Sequence, residues 1–267
     1  MSGTTLDLDL TGRAALVTAG SDGLGLACAR RLAEAGVKVA ICGRDPAKLE
    51  AAEASLRAAG APDALALCAD LTDAAAVEGL VPAVTERFGA LDILVVNSGH
   101  IAYGGLRTLT DAQWHEAFNL LLMSAVRLSR AAIPAMQATG GGDMVFLTSA
   151  TLQQAAPHLL LSSVFRLGVA SLAKSLSHDL APDGIRVNTV APGYFDTGRV
   201  RARIDEKVAT GLSRPEAALE VAGEAPMGRI GEADELAEVV AFVIGGRARF
   251  LNGASITIDG AKGRTVL

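Results

Sequence analysis

A short apolar run, Ala14–Thr18, passes straight into Thr18-Ala19-Gly20-Ser21-Asp22-Gly23-Leu24-Gly25, and that segment opens an Ala/Leu-rich stretch of helical spacing, 23–36. No other feature restricts the chain as much. A strand joined to a helix through a glycine cluster makes a tight turn whose backbone can approach a pyrophosphate. Free amides and the helix dipole then face the negative charge. Elsewhere such a cluster would mean little, since any tight turn can use glycine. Between the first strand and first helix of a βαβ unit it is a strong signal. Thr18, Gly20, Ser21, Gly23, Leu24 and Gly25 are therefore read as a dinucleotide-binding turn.

The same alternation runs to the end of the chain. Lys38–Cys42, Ala64–Ala69, Ile93–Asn97, Asp143–Ser149, Arg186–Ala191 and Ser255–Ile258 are short and apolar, as buried strands are. Between them lie helical stretches at 46–59, 73–88, 110–138, 160–181 and 232–245. Strand–helix repetition of this kind predicts an α/β, Rossmann-type fold: a doubly wound, seven-stranded parallel sheet with helices on both faces. Asp45-Pro46, Thr72-Asp73 and Thr110-Asp111 read as helix starts, and Gly36 and Gly60 as helix stops. The exception is 195–228, charged and interrupted by Gly and Pro, which is read as a partly helical substrate lid. Nothing resembles a linker, so 1–267 is taken as a single domain.

Composition narrows the partners. Half of the residues are hydrophobic, enough for a parallel sheet covered on both faces, and only 4% are aromatic. A net charge of −5 argues against a nucleic-acid partner and leaves a small molecule in a local pocket. Cys28, Cys42 and Cys68 lack metal-ligand spacing and are read as buried small hydrophobes in a reducing compartment; no metal site is expected. Met1–Leu10 shows no basic segment followed by an apolar run, and no apolar stretch is long enough to span a bilayer. The expected location is the cytoplasm, without a membrane partner.

The order of motifs resembles the short-chain dehydrogenase/reductases along nearly the whole chain. Their Thr-Gly-x-x-x-Gly-x-Gly is matched by Thr18, Gly23 and Gly25, with Ala19 at the first glycine, a substitution that is inexpensive if the position has negative φ. Asp70-Leu71 resembles the family's adenine contact. Asn97-Ser98-Gly99 resembles its Asn-Asn-Ala-Gly motif, and Pro192-Gly193 its sixth-strand turn. Thr197 then falls where the family bonds the nicotinamide carboxamide. The second strand carries no acid for a ribose 2′-hydroxyl, and Arg44 emerges from it first, so NADP(H) is preferred and NAD(H) remains possible.

The resemblance fails where the family does its proton chemistry. Ser149 ends the fifth strand and Asn119 matches the family's helical Asn, but thirteen residues after Ser149 the family Tyr is Ser162, and four later its Lys is Arg166. Arg166 lies nineteen residues before Ile185, which confirms the register. A phenol titrates near about pH 10 and can be tuned towards neutrality; an aliphatic hydroxyl is far less acidic and shorter. Arginine stays protonated, so it can hold a ribose or an anion but cannot relay a proton. His158, Tyr194 and His100 are candidate replacement acids, and Gln153 and Gln154 are placed on the substrate side.

Three functions follow. The first is an NADP(H)-dependent oxidoreductase acting on a carbonyl or alcohol with a rebuilt proton donor. The second is a non-redox lyase or dehydratase on the same scaffold. The third is a catalytically silent NADP(H)-binding regulator. The resemblance also implies a homodimer or homotetramer built through 110–138 and 160–181.

Overall fold

The structure, a computed structural model, describes residues 8–154, 156, 158–223 and 225–265. Most of the Met1–Leu10 segment and both ends of the 1–267 domain assignment therefore lie outside the described residues. Parallel strands β1 (Ala14–Val17), β2 (Lys38–Gly43), β3 (Ala64–Cys68), β4 (Ile93–Val96), β5 (Gly142–Leu147), β6 (Ile185–Pro192) and β7 (Ser255–Ile258) form one sheet. Its order is β3-β2-β1-β4-β5-β6-β7. The order reverses between β1 and β4, which opens a crevice at their carboxyl ends.

Each central strand is apolar on both faces because each face supports its own core. Ala15, Val17, Val39, Ile41, Ile93, Val95, Val145 and Leu147 pack on one side, against α1 (Gly23–Glu34), α2 (Pro46–Ala58) and α9 (Ala233–Ile244). Their neighbours Ala14, Leu16, Ala40, Cys42, Leu94, Val96, Met144 and Phe146 pack on the other, against α3 (Ala74–Phe88), α5 (Ser124–Ala138) and α6 (Leu160–Asp179). The period of two along a strand divides a continuous apolar run between two layers.

Three expectations need correction. The stretch 110–138 is not one regular helix: α4 (Asp111–Ala117) passes through a π-helical segment, Phe118–Met123, before α5. The Ser124 amide reaches back five residues to the Asn119 carbonyl, the wider turn that defines such a bulge. Cys28 and Cys42 are buried, with thiols pushed up to about 12, but Cys68 is exposed because β3 is an edge strand. And Ala19 has φ +45, so alanine at the first glycine of the turn is strained, by about 1–2 kcal/mol for a left-handed residue with a Cβ.

After β6 the chain leaves the sheet and forms α7 (Gly198–Ala209) and α8 (Arg214–Ala222). Thr197 caps the first, and a Ser213–Glu216 capping box starts the second. The pair has its own small core of Val200, Ile204, Ala217 and Val221. The ends of the excursion are tied: the Gly231 amide donates to the Tyr194 carbonyl (3.0 Å), and the Asp196 amide to the Gly231 carbonyl (2.8 Å). Among the described residues no helix is long and apolar enough to cross a membrane.

Candidate cofactor and substrate site

The glycine turn is built by close backbone approach. A Cβ at Gly20 would stand 2.7 Å from Ile41 Cγ2, and one at Gly25 only 2.3 Å from the Ala19 carbonyl oxygen. Thr18 fastens the turn to β4: its hydroxyl donates to the Asn97 carbonyl (2.6 Å), and the Asn97 amide donates back to it (2.9 Å). Asn97 Nδ2 reaches the Ala19 carbonyl at 3.3 Å. Thr18, Gly20 and Gly25 thus shape the crevice from behind, while Ser21, Gly23 and Leu24 line it.

The crevice has a volume of about 660 Å³, in the range that holds a cofactor. Arg44, Asp70, Leu71, Asn97, Gly99, Arg166, Pro192 and Thr197 also line it. At one end Lys48 pairs with Asp22 at 2.6 Å and draws that carboxyl below the usual range. Among the described residues Arg44 has Asp70 as its ion-pair partner, 3.6 Å away, and its side chain is 72% exposed. Asp70 is held in turn by the Thr72 amide and hydroxyl. The donor set therefore offers amides at the start of α1 beside a cation whose own strand, β2, carries no carboxylate, and it suits a phosphorylated dinucleotide.

Arg166 forms the floor. Nη1 donates to the carbonyls of Leu147 (2.9 Å) and Thr148 (3.0 Å), and Nη2 to Ser98 Oγ (3.2 Å). Burial lowers it to about 10, so it stays charged at neutral pH. Arg199, from α7, adds a second cation whose guanidinium lies 4.3 Å above the Tyr103 ring. Burial and then Arg199 push the His100 imidazole below its ordinary value, so it is neutral at pH 7.

A second cleft, of about 600 Å³, lies beyond Pro192, which lines both. Thr148 faces the first and Ser149 the second, so the tip of β5 divides them. Ser149 Oγ accepts the Thr151 amide at 3.2 Å. Gln154, His158, Gly193 and Tyr194 join it, whereas Gln153 turns to the Thr265 hydroxyl (3.2 Å). Ser162 is buried at 8% exposure on α6 and lines neither cleft; Asn119, within the π-helical segment, lines neither as well. The structure does not bring these two together with Ser149 and Arg166 around one cavity.

Several lining residues escaped the sequence reading. Lys48 lies one helical turn beyond Arg44, a spacing that a search for phosphate partners would have found. Arg199, Lys262 and Arg264 carry no local signal, because only the return of α7 and of the segment after β7 brings them to the clefts.

Residues 18–261 match the family model described as enoyl-(acyl carrier protein) reductase. The chain is a short-chain dehydrogenase/reductase. 3-Oxoacyl-(acyl-carrier-protein) reductase MabA of Mycobacterium tuberculosis is 33% identical over 252 residues, 94% of this chain and 93% of its own. L-Sorbose reductase from Gluconobacter frateurii, solved with NADPH and L-sorbose, superposes with a TM-score of 0.94 at 29% identity, over 98% of this chain and 100% of that one. A short-chain oxidoreductase from Pseudomonas aeruginosa, described as containing an atypical catalytic center, gives 0.89 at 32% identity, over 96% of this chain and 99% of its own. This short-chain dehydrogenase/reductase is accordingly an oxidoreductase by family.

Proposed function

We propose that the chain is an NADP(H)-dependent oxidoreductase acting on a carbonyl or alcohol, with its proton chemistry moved away from the family's Tyr and Lys positions. Arg44 carries this reading: an exposed cation at the carboxyl end of a strand without an acid, where a 2′-phosphate would be received. The sorbose reductase solved with NADPH supports it. Ser21, Gly23, Leu24 and Thr197 would hold the pyrophosphate and nicotinamide ends. When bound, the cofactor supplies the hydride.

Arg166 has five N–H groups, and three are used on Leu147, Thr148 and Ser98. Two remain to hold a ribose or an anion, and none relays a proton. Ser149 accepts the Thr151 amide, which leaves its own hydroxyl proton for a substrate oxygen. His158 and Tyr194, across the same cleft, are the groups placed to exchange a proton there. Ser162 is left a packing role, so Ser162→Ala should leave NADPH binding intact and lower turnover only modestly.

The excursion holding α7 and α8 acts as the lid of this site within one domain. A cytoplasmic location and self-association belong to the same reading. Leu106, Phe118, Val164 and Leu167 are exposed on or near α4–α6, the face a second copy would cover.

The test is a calorimetric titration with NADPH and NADH, beside absorbance at 340 nm with a panel of carbonyls. Arg44→Ala should weaken NADPH binding by roughly 1.5–3 kcal/mol, a charge-assisted contact, and leave NADH unchanged. Equal affinity of the wild type for both cofactors would overturn the assignment. The absence of both Ser162 and Asn119 from the clefts favours one second reading, a cofactor-binding regulator. Tight NADPH binding without any carbonyl reduction would give that reading the lead.

A further inference from the structure

The second cleft contains a cation, Lys262, that among the described residues is held in place by uncharged groups. Lys262 follows β7 and returns over the cleft wall. Its ammonium lies 4.3 Å from the centroid of the Tyr194 ring. The other side of its seat is Gly223, the residue that ends α8: with φ +65 and no side chain it leaves room that a Cβ would close to 2.5 Å from Lys262 Nζ. The carbonyl end of α8 and the negative face of an aromatic ring both favour a positive charge at this point. Tyr194 is fixed in turn by Arg203, whose Nη1 reaches the phenol oxygen at 3.4 Å.

None of these partners is an acid. Among the described residues no carboxylate pairs with Lys262. Asp259 is the carboxylate lining the same cleft, and its Oδ2 accepts the Gly263 amide at 2.7 Å, which orients it along its own turn. His158 and Arg264 also line the cleft, Arg264 with interactions of its own. Ser149 directly follows Thr148, which lines the first cleft, and Pro192 lines both, so the Ser149 hydroxyl belongs to the end nearer the first cleft. The cavity thus has a hydroxyl-lined end beside the proposed hydride site and a cationic wall formed by the return of the chain after β7.

We infer that the substrate of this cleft carries a carboxylate or comparable small anionic group, received by the Lys262 ammonium while its carbonyl or alcohol lies towards Ser149. The inference rests on the proposed oxidoreductase reading for the reacting end of the molecule, and on Lys262 alone for the charged end. A lysine serving only to staple the terminal segment to α8 would show no preference among ligands.

The experiment compares keto acids with their methyl esters, acetoacetate and levulinate being the probes, on wild type, Lys262→Met and Lys262→Arg. Two readouts are taken: the ratio of kcat/KM for acid over ester with NADPH, and the calorimetric affinity of each probe for the protein with and without NADPH. The acid should be preferred on the order of 10- to 100-fold, the scale of one charge-assisted hydrogen bond. Lys262→Met should remove the preference and Lys262→Arg should keep most of it, with NADPH affinity reporting that each variant is folded. Acid and ester bound equally by the wild type would overturn the inference, as would an acid preference that survives Lys262→Met. If NADPH fails to bind or no probe is reduced, the oxidoreductase reading fails by itself; the binding arm without cofactor still decides the anion site.

Discussion

The two ends of the sheet treat charge in opposite ways. At the amino ends of the strands, Asp143 lies between two arginines, at 2.7 Å from Arg13 and 2.6 Å from Arg186. Other bonds from the two guanidinium groups go to carbonyls: Arg13 to that of Asp92, and Arg186 to those of Ile244 and Ala248. Every one of these charges has its partner within the fold. At the carboxyl ends Lys48 keeps a close acid in Asp22, but Arg44, Arg199 and Lys262 face cavities with a more distant acid or an aromatic ring for company. A charge matched internally holds strands in place; a charge left unmatched beside a cavity is available to a ligand. The location of function in this molecule can be read from that contrast.

Removing Asp143 breaks the comparison at its closed end. Asp143→Ala leaves two largely buried arginines without their acid and should cost about 3–5 kcal/mol in urea denaturation. A loss below about 1 kcal/mol would mean that the triad behaves as an exposed pair and that the contrast is overdrawn.

Arg166 sharpens the comparison because it belongs to both classes. Arg166→Ala should destabilise by about 1–3 kcal/mol by leaving the Leu147 and Thr148 carbonyls without donors. It should also weaken NADPH binding in a parallel titration. A stability loss with NADPH affinity unchanged would place Arg166 with the structural charges of the opposite end.

The smallest effect is at Ala19. Ala19→Gly relieves a left-handed residue but loosens the unfolded chain, and the two nearly offset. A net gain of up to about 1 kcal/mol in thermal stability is expected, and a clear loss would mean that the alanine methyl packs usefully.

The strands were legible because a sheet buried on both faces needs uninterrupted apolar runs, and Ile93–Val96 or Ala14–Val17 can be little else. The turn was legible because Gly20 and Gly25 sit in contacts that admit no Cβ and Gly23 has φ +53. The conformation of Ala19 was not, since φ depends on how the turn is tied to Asn97 seventy-eight residues away. Nor was the position of Ser162. Its spacing from Ser149 marks the place on α6 where the family has its tyrosine, but whether so short a side chain reaches a cavity depends on its neighbours. Lys262 was hidden for the plainest reason: it acquires meaning only when α8, Tyr194 and the segment after β7 meet.

The knot of hydrogen bonds between Tyr194, Asp196 and Gly231 has an evolutionary consequence. Both ends of the excursion are tied at this neck, and further contacts to the rest of the fold lie at its two margins, where Thr197 and Arg199 line the dinucleotide crevice and the Met227 amide reaches the Gly260 carbonyl (3.4 Å). Segments carried this way can be lengthened, trimmed or exchanged at an entropic cost of only about 0.6 kcal/mol per doubling of length. A scaffold of this design can take up new substrates by rewriting α8 and the far end of α7, while Thr197 and Arg199 stay with the dinucleotide half.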